Sequence, residues 1–257
     1  MRPLLFFIVS VLMTTSSFSQ KKELYYNEKY QRIEKNDFDK RLKSKLFIET
    51  VVENDTAKFH KLRFFEFFGV MDSTKNKQLR SQLTSEYPIN PNKTWFINYM
   101  DTLPDAKKMH KEAGTYYIDT IAKDSVFVPR YRHFKKLDRE KYNYHHHVSS
   151  TKSFQKYLER WPKKVNSNIE YFYIYVVNKG FPLDFSPKVR MYRDPKNVVR
   201  KVFNDGQVPY HDIILFPNGD FYVTTADNWE RKVKLLKEKI YTQEKEKWLK
   251  QLAKVSL

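Results

Sequence analysis

Apolar and polar positions follow several distinct rhythms along this chain. At the start, Arg2 is followed by the apolar run Leu4 to Met13 and then by polar residues ending Ser17-Phe18-Ser19-Gln20. A basic start, a short apolar middle and small residues before a cut predict a secretory signal peptide, residues 1–19, cleaved after Ser19. The run is too short for a membrane span, which needs about 20 apolar residues, and none of that length follows. Next, Leu46–Val52 is rich in β-formers, Asn54-Asp55 supplies a turn, and Ala57–Leu62 alternates. This pattern predicts a hairpin. Ser73 is the expected cap of a helix carrying Leu79 and Leu83 one turn apart, closed by Tyr87-Pro88. Residues 20–90 therefore read as an N-terminal α+β lobe.

Beyond Pro91 the apolar runs lengthen. Thr94–Met100 lacks helical spacing and predicts a buried strand. The stretch 101–150 is the least regular, with two short strands expected at Tyr116–Ile118 and Val126–Val128, the second ended by Pro129. Phe154, Tyr157, Leu158 and Trp161 fall at helical spacing, and Pro162 stops that helix. Glu170–Val177 is the strongest strand, with Phe172, Ile174 and Val176 on one face and Tyr171, Tyr173 and Tyr175 on the other. An aromatic load on both faces predicts a central position. Asp194-Pro195 opens a short helix, and Ile213–Phe216 and Phe221–Val223 flank Pro217-Asn218-Gly219-Asp220, a hairpin signal. Asp227 is the expected cap of a final helix with Trp229, Val233, Leu236 and Ile240 on one stripe, and Trp248, Leu249 and Leu252 continue it or form a second helix.

Composition narrows the chemistry. Hydrophobic residues make up 40% and aromatics 16% of the 257 residues, enough apolar surface for a packed core. There is no Cys, so disulfides, thiolate chemistry and a lipidated N-terminal Cys are excluded. The formal charge is +18, and the expected signal peptide removes only Arg2. A charge of this size attracts polyanions. The basic residues are spread, however, in pairs such as Lys107-Lys108, Lys135-Lys136 and Lys163-Lys164 without a long run, the pattern of a solvated surface. No specific nucleic-acid partner is expected.

From residue 94 the element order resembles the thioredoxin-like β-α-β-α-β-β-α order, with Val208-Pro209 just before the third strand, where thioredoxins place their cis-proline. The resemblance implies an α/β fold: a thioredoxin-like mixed sheet with flanking helices over residues 91–257, an insertion at about 101–150, and the small N-terminal hairpin/helix lobe. It also marks a departure, because Met100-Asp101-Thr102-Leu103-Pro104-Asp105-Ala106 stands where thioredoxins carry Cys-x-x-Cys. Thiol-disulfide catalysis needs a thiol, and this chain has none. The turn Glu53-Asn54-Asp55-Thr56-Ala57 and the strand segment Ile97-Asn98-Tyr99 resemble those of exported flavobacterial proteins, a likeness that implies no particular activity.

Candidate sites are sparse. His145-His146-His147 is the most conspicuous polar cluster, but consecutive histidines rarely share one ion, and His110, His133, His211 or an acidic side chain would have to complete a metal site. A solvated loop is the expectation. Asp101, Asp105, Asp205, Asp212 and Asp220 stand near predicted strand ends, where acids serve hydrolysis or simply form turns. Tyr171, Tyr173 and Tyr175 are expected in a core rather than as an exposed stacking platform. No Gly-x-Ser-x-Gly, phosphate loop or dinucleotide fingerprint is present, and five glycines leave little to build one. No residue is assigned a catalytic, cofactor-binding or metal-binding role, and no cofactor is expected. Asp-Ser/Thr-aliphatic triplets at Asp55–Ala57, Asp101–Leu103, Asp119–Ile121 and Asp124–Val126 are similar to the O-glycosylation motif of exported Bacteroidetes proteins.

The sequence thus predicts a secreted or periplasmic, non-redox binding or structural protein whose partner is an envelope protein or an anionic polymer. The alternatives are a secreted hydrolase using carboxylates near 101–150 and a polyanion-binding protein.

Overall fold

A computed structural model describes residues 21–129, 144–187, 189–204 and 210–255. The expected signal peptide, His133, Lys135-Lys136, Asp205 and Val208-Pro209 lie outside the described residues. The protein is a mixed α/β structure of two units, one ending at Phe65 and one running from Glu66. The sequence reading set this boundary near residue 90; the difference arises because the strand and helix after Phe65 join the larger sheet.

The first unit is a four-stranded sheet. It holds β1 (Lys22–Tyr26), β2 (Arg32–Ile33), β3 (Phe47–Glu53) and β4 (Ala57–Phe64) in the order β2-β1-β4-β3, with β1 and β4 parallel. The expected hairpin is β3–β4, and its turn is closed by Asn54 Oδ1 accepting from the Thr56 and Ala57 amides. Helix α1 (Lys35–Lys43) buries only Phe38, which packs against Tyr25 and His60. His60 stacks on Tyr25 at 4.7 Å and hydrogen-bonds the Glu49 carboxylate.

The second unit is built on a six-stranded sheet. Its members are β5 (Glu66–Val70), β6 (Thr94–Thr102), β10 (Ile169–Val177), β11 (Met191–Arg193), β12 (Asp212–Leu215) and β13 (Asp220–Thr224), in the order β11-β10-β6-β12-β13-β5. β6, β10 and β11 run parallel, whereas β12 is antiparallel to β6, β13 to β12 and β5 to β13. The β12–β13 turn carries Gly219 at φ +93°, with the space for a Cβ taken by the Met71 carbonyl at 2.7 Å. Only glycine satisfies both constraints.

Period-two alternation gives the sheet two buried faces. Trp95, Ile97, Phe172, Ile174, Ile213, Leu215 and Val223 form one core with Leu79 and Leu83 of α2 (Ser73–Glu86) and Val199 and Phe203 of α4 (Val198–Phe203). Helix α2 is capped by Asp72, not Ser73, because the Asp72 carboxylate accepts the Thr74 and Lys75 amides. The guanidinium of Arg80 is buried beneath this helix, donating to Asn76 Oδ1 and to the carbonyls of Pro91, Lys93 and Leu215 while lying 4.4 Å over Trp95.

The opposite face carries Phe96, Asn98, Tyr171, Tyr173, Asp212 and Ile214. It is covered by α3 (Thr151–Arg160), α5 (Trp229–Leu235) and α6 (Glu238–Val255): the Tyr173 hydroxyl donates to the Leu158 carbonyl, Trp229 stacks on Phe96, and Trp248 packs on Phe68. Tyr171 and Tyr173 are buried, as the core reading required. Trp229 and Val233 lie on α5 and Ile240 on α6, so their stripe does not run along one helix, and Trp248, Leu249 and Leu252 belong to a second helix, one of the two expectations. The chain turns between α5 and α6, and beside Trp229 the residues turned inward are Lys232, Leu235, Tyr241 and Trp248.

The irregular stretch holds a three-stranded antiparallel sheet of β7 (Gly114–Asp119), β8 (Asp124–Pro129) and β9 (Tyr144–Val148), ordered β8-β7-β9. Pro129 is the last residue of edge strand β8, where its missing N–H is tolerated. The histidine triplet lies on β9 rather than in a loop. Pairing of His147 with Thr115 and of His145 with Tyr117 in the β7 ladder overrides the polarity of the segment. Among the described residues no helix is long and apolar enough to cross a membrane.

Candidate functional site

On the polar-bearing face of the large sheet, α3 and α5 leave a cavity of about 260 Å³. Its floor is Asn98 of β6, Tyr171 of β10 and Asp212 of β12. The walls are Phe154, Tyr157 and Trp161 from α3 and its C-cap, and Asp227, Trp229 and Lys232 at the start of α5. Two capping interactions set the wall helices. Ser150 and Ser153 form a reciprocal capping box on α3, and Asn228, not the expected Asp227, caps α5 by accepting the Arg231 amide. Asp227 is thereby left at the mouth, with its side chain 83% exposed.

The floor is ionic. Lys232 Nζ donates to Asp212 Oδ2 at 2.5 Å and to the Ala226 carbonyl at 3.1 Å, and lies 3.8 Å from Asp227. Asn98 Nδ2 donates to Asp212 Oδ1 at 2.8 Å. Asp212 and Lys232 are both buried. Burial pushes the Asp212 carboxyl up from its ordinary value, against the opposing pull of Lys232 and Asn98. The same desolvation raises the Tyr171 and Tyr157 phenols, and the negative charges of Asp212 and Asp227 push the Tyr157 phenol further in that direction. The Tyr171 hydroxyl, which is buried, has no hydrogen-bond partner of regular geometry among the described residues; the Tyr173 hydroxyl beside it spends its proton on Leu158.

Aromatic rings make the walls stiff. Trp229 is held between Phe96 at 5.4 Å and Trp161 at 4.4 Å, and the outer side of Trp161 carries the Lys164 ammonium at 4.8 Å. Tyr157 meets Trp161 edge-on and is 42% exposed, so it is the wall ring open to a ligand. A cavity of mainly apolar lining with a few converging polar groups is the usual form of a small-molecule site. The larger groove of about 460 Å³ beside α2 and α4 lacks this convergence: Val70, Lys75, Gln78, Lys201 and Val202 on its walls are exposed.

Of the acids Asp101, Asp105, Asp212 and Asp220, the described ones among those noted near strand ends, Asp212 alone lines the cavity. Asp101 lies 3.5 Å from Arg200 and accepts from the Tyr99 hydroxyl, Asp105 caps a 3-10 turn, and Asp220 pairs with Lys245 at 2.7 Å. In the stretch from residue 101, Asp119 accepts the Ile121 and Ala122 amides in a turn. None of these acids converges on the cavity. His147 pairs with Thr115, and His145 and His147 stand 5.4 Å apart. Among the described residues no three His, Cys, Asp or Glu side chains are placed to hold a metal ion. Thr56, Thr102, Thr120 and Ser125 of the four triplets are all exposed.

Asn98, Lys232, Trp161 and Trp229 were not recognised as site residues from the sequence. One signal was available: Lys232 sits one turn from both Trp229 and Leu235, where an inward-facing lysine demands a buried acid. The geometry permits binding more readily than acid-base chemistry, because Asp212 is already engaged by Lys232 and Asn98, and Asp227 is in water. No protein-family model matches this chain, and no similar curated protein or solved structure was found.

Proposed function

We propose that this chain is an exported, non-redox binding protein of the bacterial envelope, with a thioredoxin-like main domain that uses the cavity over Asn98 and Asp212 as its ligand site. The observation that carries the binding reading is the ion-paired Asp212–Lys232–Asn98 floor beneath a stiff aromatic wall. It offers recognition without a free acid-base pair. The order β10-β6-β12-β13, with the first two strands parallel and each later pair antiparallel, supports the thioredoxin-like reading. The absence of any thiol supports its non-redox character. Export rests on the form of residues 1–19, and the exposed hydroxyls of the four triplets fit glycosylation, which the intact mass of protein from its native source measures.

The test is capture from envelope extract by residues 20–257, washed at moderate salt and compared with Tyr157→Ala. Tyr157 is exposed enough for the variant to fold. A protein or polymer retained by the wild type and lost from the variant supports the cavity as the site. Equal capture by both moves binding elsewhere. Complete loss on washing makes the positive charge a solvated surface, and the hydrolase reading then comes forward.

A further inference from the structure

We propose that the cavity recognises a primary alkylammonium group. This rests on the cavity being a ligand site, and it follows from which hydrogen-bonding capacity there remains unspent. The donors of the floor are committed: Lys232 gives its protons toward Asp212, the Ala226 carbonyl and Asp227, and Asn98 donates to Asp212, while His211 and Tyr157, which also line the cavity, are exposed to water. The acceptors are not. Asp212 has two oxygens with about four lone-pair directions, and the described donors to it are Asn98 and Lys232.

The Tyr171 hydroxyl is buried, lines the cavity and has no regular partner among the described residues. Its proton can turn toward the Tyr173 oxygen beside it, since the Tyr173 proton goes to Leu158, and in that arrangement the Tyr171 oxygen is an acceptor. Asp227 adds an exposed carboxylate at the mouth. A floor with spare acceptors and spent donors takes a donor-rich ligand.

Charge points the same way. Two carboxylates, Asp212 and Asp227, face one ammonium, Lys232, so the cluster keeps a net negative charge within a protein of formal charge +18. An organic cation neutralises that excess, and the open ring of Tyr157 adds a cation–π surface. A carboxylate or phosphate would find no unspent donor on the floor. An ammonium brings three protons to a cavity whose lining offers the acceptors of Asp227, Tyr171 and Asp212, with Tyr157 and Phe154 as apolar surface for its alkyl chain. The source could be a lysine-type side chain or an aminoalkyl lipid headgroup, which share this chemistry.

The test titrates residues 20–257 with n-butylammonium, n-butanol and butyrate at one ionic strength. The readouts are the amide signals of Ala226 and Lys232 and the indole N–H signals of Trp161 and Trp229. The expected result is saturable shifts with n-butylammonium and binding roughly tenfold weaker with n-butanol, the worth of one charge-assisted hydrogen bond. Asp227→Asn should weaken n-butylammonium binding with an unchanged melting temperature, whereas Glu246→Gln, exposed on α6, should leave it intact. Equal or better binding of n-butanol or butyrate overturns the ammonium assignment and leaves the cavity as a ligand site. If no probe moves a cavity signal, the ammonium assignment falls, and the capture comparison with Tyr157→Ala decides separately whether the cavity is a ligand site. Once n-butylammonium binds, Nα-acetyl-lysine amide and vesicles containing phosphatidylethanolamine distinguish the two sources.

Discussion

Replacing Lys232 by Met removes the ammonium from the floor of the cavity but keeps much of the side chain's volume. Asp212 then retains only the Asn98 bond while it stays 4% exposed. Breaking a buried pair from one side costs about 3–5 kcal/mol, chiefly because the remaining charge is left without compensation. For a unit of this size that is a melting-temperature loss of roughly 6–20 °C. The double variant Lys232→Met/Asp212→Leu removes both charges and should recover much of the loss. The assay is urea unfolding followed by tryptophan fluorescence and circular dichroism, at pH 7 and again in acid.

The pH dependence has a definite sign. Burial already holds the Asp212 carboxyl above its ordinary value, and loss of Lys232 raises it further. The single variant's deficit should therefore be fully present above the folded-state value and shrink as falling pH protonates the acid. A loss below about 1 kcal/mol at pH 7, or a double variant as unstable as the single one, would refute the account of a buried, mutually dependent pair.

Three further outcomes are expected. Arg80→Met orphans the carbonyls of Pro91, Lys93 and Leu215 under α2, and should cost about 3 kcal/mol in chemical denaturation, since each buried unpaired acceptor costs about 1–3 kcal/mol. Tyr173→Ala should destabilise by about 3–5 kcal/mol, as truncation of a buried aromatic does; an unchanged melting temperature would contradict its burial under α3. Gly219→Ala should cost more than about 1 kcal/mol, because it meets both a positive φ and the Met71 carbonyl; a neutral effect on thermal melting would refute that reading.

Much of the strand framework was legible because long aliphatic and aromatic runs ended at clear turn residues. Examples are Thr94–Met100, Glu170–Val177 and the two runs around Asn218-Gly219. Strand β5 escaped because Leu62 to Phe68 contains a nearly unbroken series of large residues, with no turn residue to mark the change of sheet at Phe65. Helix α1 escaped because one buried residue, Phe38, makes no stripe. The α5–α6 stripe was misread because a charged residue, Lys232, fills an inward position that hydrophobic spacing assigns to its neighbours. The site was legible only in fragments. Asp212 meets Asn98 across 114 positions and Lys232 across 20, so no local pattern links the three.

The strand that opens the large unit is closed by one of the last to be made. Residues 66–70 pair with 220–224, Arg80 reaches Leu215, and Arg231 returns to Glu66 across 165 positions. Loop closure over such distances comes before the contacts that reward it, so the unit is a slow folder by topology. While the chain is being synthesised, β5 has no neighbour on its sheet edge and Arg80 has no Leu215 carbonyl to hold until most of the protein has left the ribosome. A nascent chain kept open in this way stays unlocked until β13 has been made, and the lock closes only when segments 66–70 and 220–224 meet.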